Sequence, residues 1–167
     1  MYKWEPKLDL ALTDRSCLLQ LKRIKPILSV RFRSIGLQTP DTNVLVRYLV
    51  GDDEKQAQIA SGCIRAIAVS GESCFIRSIV ICELVWVLES AYDYEKMEIC
   101  DVLEKLLITK QFDLEDKDIV RQAIRDYKAG DGDIADYLIG RFNQNKGCDI
   151  TYTFDRALKG CSLFSVL

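Results

Sequence analysis

Histidine is absent from all 167 residues, which excludes imidazole acid–base catalysis and histidine nucleophiles. It also removes the residue that most often completes a zinc site alongside cysteine. Seven cysteines are present, but no two stand as C-x-x-C, so free and mostly buried thiols of a reducing compartment are expected. No uncharged apolar run approaches membrane-spanning length, because the stretch Ile79 to Leu88 is interrupted by Glu83. Met1 to Asp14 mixes charges with Trp4 and Pro6 and lacks the apolar core of a secretory signal. A cytoplasmic location with no membrane contact is therefore the expectation. The formal net charge of −2 offers no basic surplus for non-specific binding to nucleic acid. A glycine-rich phosphate cradle is missing too: Gly130-Asp131-Gly132 is too short and has no lysine after it, which argues against a nucleoside triphosphatase.

The composition, 49% hydrophobic and 29% charged, suits one globular domain with a single core. Residues 1–35 hold a short helical pattern at Ser16 to Ile24 and the run Ile27 to Phe32, with no sustained period. They are expected to form a poorly ordered N-terminal extension. Residues 36–167 are patterned throughout. An apolar segment at Ile35 to Leu37 leads to Asp41-Thr42-Asn43, a helix start, and a helix to Val50. A second helix follows Gly51-Asp52-Asp53, buries Ala57, Ala60, Ile64 and Ile67, and closes at Gly71. Ser73 to Ile81 has the composition of a buried strand, and Glu83 to Tyr92 that of a helix. Another helix is expected over Tyr94 to Ile108 with Met97 and Cys100 inward, then a short strand at Phe112 to Leu114. Helices over Glu115 to Ala129 and Asp133 to Asn145 precede strands at Cys148 to Phe154 and Ser162 to Leu167. In the helix from Asp133, the residues Ala135, Leu138, Ile139 and Phe142 form the expected inner face. Alternating strands and helices predict an α/β fold with a central parallel sheet flanked by helices on both faces. In such sheets, ligands bind at the C-terminal edge of the strands.

Four carboxylates fall at that edge: Asp41, Glu83, Asp136 and Asp155, with Asp133 one helical step from Asp136. Clustered carboxylates raise one another's pKa, and a hard divalent cation relieves the repulsion while accepting oxygen ligands. Such an ion supports phosphodiester hydrolysis without histidine. Spacing alone leaves a second reading open, in which these acids are helix caps and solvated charges. Asp52, Asp53, Asp116 and Asp118 are read in that second way.

The strings Asp41-Thr-Asn-Val-Leu-Val-Arg-Tyr-Leu, Cys82-Glu-Leu-Val-Trp-Val-Leu-Glu-Ser-Ala-Tyr, Asp133-Ile-Ala-Asp-Tyr-Leu-Ile-Gly and Thr153-Phe-Asp-Arg stand in this order. Together they resemble a PIN-domain nuclease, and specifically the VapC toxins of type II toxin–antitoxin modules. The resemblance implies a single PIN-like domain over 36–167 and an acidic quartet of Asp41, Glu83, Asp136 and Asp155. It implies a Mg²⁺- or Mn²⁺-dependent endoribonuclease acting on RNA, often transfer or ribosomal RNA, through an activated water. A homodimer and a VapB-like antitoxin are implied as partners. Asp41 and Asp136 would contact the metal first, with Glu83 and Asp155 completing the pocket and Asp133 as an accessory ligand. Thr42 and Asn43 would order the loop of Asp41, and Ser78 or Thr153 would add hydroxyl contacts.

The chain departs from that pattern in the thirty-odd residues before the first strand and in Gln38-Thr39-Pro40. Pro40 cannot donate to a central strand and biases Thr39 to extended backbone. Either the first strand is shortened there, or translation starts further downstream. The alternatives to a ribonuclease are a catalytically idle PIN-like interaction module, a phospho-receiver domain, and a hydrolase of phosphorylated small molecules. A receiver lacks support, since no phosphorylatable aspartate is matched by a later lysine. Trp86, Tyr92 and Tyr94 read as core or dimer-interface residues. Lys117, Arg121 and Arg125 read as a solvated stripe on one helix face.

Overall fold

The computed structural model describes residues 38–167; the expected segments at Ser16 to Ile24, Ile27 to Phe32 and Ile35 to Leu37 lie outside them. Six helices run through these residues: α1 Thr42–Val50, α2 Glu54–Val69, α3 Ser78–Tyr92, α4 Lys96–Ile108, α5 Lys117–Ala129 and α6 Ile134–Asn145. Four three-residue strands accompany them: β1 Cys74–Ile76, β2 Phe112–Leu114, β3 Thr151–Thr153 and β4 Phe164–Val166. A short 3₁₀ turn, Arg156–Leu158, lies between β3 and β4.

Among the described residues all pairings are parallel, as the alternation of strands and helices favours. β1 pairs with β2, placing Cys74 opposite Phe112 and Ile76 opposite Leu114. On the other side of β1, Gln38 bridges to Cys74 in parallel, and the Phe75 amide donates to the Gln38 carbonyl at 2.7 Å. The chain thus pairs at Gln38 and has left the ladder before Pro40, whose missing amide removes no ladder bond. β3 pairs with β4, Thr151 opposite Phe164. Among the described residues, no ladder joins the two pairs. The fold is α/β and rich in helix, and its strand edges are short.

The start of α3 differs from expectation. The Ile/Val run after Arg77 favours strand by composition, yet helix begins at Ser78. A tertiary contact decides it: Glu115, just past β2, accepts from the Ser78 amide at 2.9 Å, satisfying a free amide of the first turn. Period 3.6 then buries Ile81, Leu84, Val85 and Leu88. Glu83 consequently sits well inside α3 rather than opening it.

The core gathers these residues with Leu45, Ile99, Leu103, Leu106, Val120, Ile124 and Leu138. α5 behaves as its sequence pattern requires, with Ile119, Ala123 and Ile124 buried. Two single residues differ from expectation: Met97 on α4 is exposed although Cys100 is buried as expected, and Ile139 on α6 is exposed although Leu138 is buried as expected. The strand expected over Cys148 to Phe154 is confined to Thr151–Thr153, and Cys148, Tyr152 and Phe154 are exposed. Trp86 is exposed rather than core, whereas Tyr92 and Tyr94 pack partly buried against the core. Of the cysteines described, Cys74 and Cys100 are buried and Cys148 is exposed. No described helix is long and apolar enough to cross a membrane.

Candidate active site

Each of the four acids is fixed by a hydrogen bond through one carboxylate oxygen. Asp41 is the N-cap of α1, its Oδ1 accepting from the Val44 amide at 2.9 Å. Glu83 Oε2 accepts from the Thr42 hydroxyl at 2.5 Å, and Thr42 is buried in the first turn of α1. Asp136 lies in the first turn of α6, where its Oδ2 accepts from the Asp133 amide at 3.3 Å and Asp133 reciprocates as a capping box. Asp155 caps the 3₁₀ turn, its Oδ1 accepting from the Ala157 amide at 2.9 Å. Among the described residues, the second oxygen of each carboxylate takes no protein hydrogen bond. Capping and site formation are therefore compatible: the cap aims the group and leaves one oxygen for a ligand.

Two halves can be distinguished. Asp41 and Glu83 share one, linked through Thr42. Asp136, Asp133 and Asp155 share the other. The Asp136 carboxyl is held above the ordinary carboxylate range, first by burial and then by repulsion from Asp133 and Asp155, against the opposing pull of the Asp133 amide. α3, which carries Glu83, packs against α6, which carries Asp136. No group of three acids or thiols among the described residues stands ready-made to hold an ion. The donor chemistry does fit a hard cation, because every candidate ligand is a carboxylate oxygen and like charges already strain the Asp136 cluster.

The Gly130–Asp133 loop explains how Asp136 and Asp155 come close. The buried Tyr137 hydroxyl accepts from the Gly132 amide at 3.2 Å. Lys96 Nζ donates to the Gly130 carbonyl and lies 4.4 Å from the Tyr127 ring centre. A Cβ at Gly132 would stand 2.4 Å from Leu158 Cδ2, and one at Gly130 2.0 Å from the Tyr137 hydroxyl. The loop before α6 is thus packed directly against Leu158, in the turn that Asp155 caps.

Several residues around this edge were not legible beforehand. Glu115 is one: its position just after a three-residue strand could have suggested it, but its role at the start of α3 depends on the β1–β2 pairing. The Thr153 hydroxyl accepts from the Asp155 amide at 3.0 Å, so it orders the local chain. The Ser78 hydroxyl is buried without a hydrogen-bond partner among the described residues. Asp53 caps α2 through the Gln56 amide, as expected. Asp52 instead joins Arg47 and Tyr92, and Asp118 pairs with Arg121.

The PIN domain family profile matches residues 39–160. The VapC ribonuclease of Aquifex aeolicus (strain VF5) is 33% identical over 119 residues, covering 71% of this chain and 87% of that protein. No solved structure gives a significant match.

Proposed function

Since this chain belongs to the PIN domain family, as a VapC-type member, we propose that it is an endoribonuclease that hydrolyses RNA phosphodiester bonds. Asp41, Glu83, Asp136 and Asp155 are the residues assigned to hold Mg²⁺ or Mn²⁺, with Asp133 beside them. When bound, such an ion supplies Lewis acidity toward the phosphodiester and acidifies a water. The protein's part is orientation: three helix or turn caps and the Thr42–Glu83 bond fix the carboxylates before any ligand arrives. The observation that carries this reading is the placing of the four acids, each held through one carboxylate oxygen with the other free of protein hydrogen bonds among the described residues.

The remaining parts of the reading follow the family. The substrate is cellular RNA, a VapB-like antitoxin restrains the enzyme, and the active form is a homodimer. The two strand pairs are read as parts of one central parallel sheet flanked by helices on both faces, with residues 1–35 standing outside the domain. All observed ladders being parallel supports that arrangement.

The test is cleavage of total RNA by the purified chain with Mn²⁺, with Mg²⁺ and with chelator. Discrete fragments that require the ion and disappear in Asp136→Asn are the expected result. The loss should exceed the roughly 10–100-fold typical of a residue one shell further out. Cleavage at the parental rate in folded Asp136→Asn would remove Asp136 from the site. A folded parent that cuts nothing with either ion would leave an idle PIN-like interaction module.

A further inference from the structure

Segment 151–159 brings aromatic rings and positive charge to the same edge as Asp155. Along extended backbone, side chains alternate, and here Tyr152 and Phe154 point outward with Thr153 between them partly buried. Phe154 is 81% exposed, more than any other large hydrophobic residue described, and Tyr152 is 68% exposed. Single exposed apolar side chains are ordinary. Two rings at two-residue spacing, directly followed by a site carboxylate, are less so. Arg156 and Lys159 come next, both exposed and neither in an ion pair among the described residues.

We propose that Tyr152 and Phe154 form a stacking platform for unpaired bases of single-stranded RNA, with Arg156 and Lys159 meeting the neighbouring phosphates; this rests on the ribonuclease reading above. A flexible single strand presents a partner for each group: base π faces for the rings and phosphates for the cations. A duplex keeps its base faces stacked inside and offers only phosphates. The platform would therefore select unpaired RNA and lay it beside Asp155. It would also explain how a chain of net negative charge engages a polyanion, since stacking does not depend on net charge.

The experiment uses the full chain carrying Asp136→Asn, so that RNA stays intact, and anisotropy of a fluorescein-labelled mixed-sequence oligonucleotide as single strand and as duplex. Tyr152→Ala and Phe154→Ala should each weaken single-strand binding about fivefold or more, from a stacking contribution of about 1–3 kcal/mol per base. Tyr152→Phe and Phe154→Trp should restore it, and duplex binding should not move. Alanine variants that bind single strands like their parent overturn the platform, as does an equal loss on single strand and duplex. Self-association that disappears in sedimentation velocity of the double alanine variant, with RNA binding intact, also overturns it and assigns the rings to a second copy. Cleavage by the chain with Asp136 intact separates the two readings. If it cuts RNA and both alanine variants keep its KM, the nuclease stands and the platform falls. If it cuts nothing but binds single strands through these rings, the platform stands and the nuclease falls.

Discussion

The Thr42 hydroxyl, in a residue only 3% exposed, makes a short bond to Glu83 across the gap between α1 and α3. Asp41 is its chain neighbour, so one threonine couples the two acids of that half of the site. Replacing it by valine keeps the β-branched shape and removes the donor. Because Glu83 stays solvated on its outer side, the stability cost should be modest, about 1 kcal/mol rather than the upper range for bonds to charged groups. Activity should suffer more, falling about 10–100-fold as when an outer partner of a metal ligand is lost. Urea unfolding beside single-turnover RNA cleavage measures both. Equal cleavage rates in parent and Thr42→Val would show that Glu83 does not need this bond. The threonine was visible in the sequence as part of a capping triplet, but its partner forty-one positions on was not, because only α1–α3 packing brings them together.

At the scale of elements, legibility followed amphipathic clarity. α5 and the cap of α6 could be placed from the sequence because charged and apolar residues separate cleanly there. The first five residues of α3 could not, although the helix from Glu83 could, since Ile79 to Cys82 are all apolar and only the Glu115 contact tells helix from strand there. The outward turn of Met97 and Ile139 likewise reflects which neighbour each helix meets, a tertiary fact. The loop before α6 offers the sharpest elemental test. Gly132→Ala must displace Leu158, which is 1% exposed and has little room to yield. Overpacking of this kind typically costs about 1–3 kcal/mol, and the shift would part Asp136 from Asp155. Lower Tm together with a larger loss of cleavage than Leu158→Ala produces is the expected pattern; unchanged cleavage would mean that the loop's packing does not set the site.

Across the whole molecule, proton binding and stability are linked through Asp136. Its folded-state pKa is raised, chiefly by burial, so the native state holds this proton more tightly than the unfolded chain does. The contribution to stability is therefore fully present below the ordinary carboxylate range and is lost as pH rises through the raised value. Asparagine at 136 keeps an acceptor for the Asp133 amide and carries no charge. Thermal melts over pH 3 to 8, a range bracketing the carboxylate values (~4), should show Asp136→Asn gaining on the parent toward neutrality. A constant gap would mean that Asp136 holds its proton no more tightly in the native state than in the unfolded chain. The overall class, α/β with parallel pairing, could be inferred from the order of motifs, whereas only Asp41 and Asp155 of the four acids lie just past a paired segment. The division of the ladders into two pairs could not, because strands of three residues leave almost no period to detect. The contact between Gly132 and Leu158 has a temporal side as well. Leu158 follows every assigned carboxylate in the chain, so the packing of the loop before α6 against it is completed only after all four acids have been made. A chain ending at Ala157 would keep all four acids and lose the side chain against which the loop before α6 is packed.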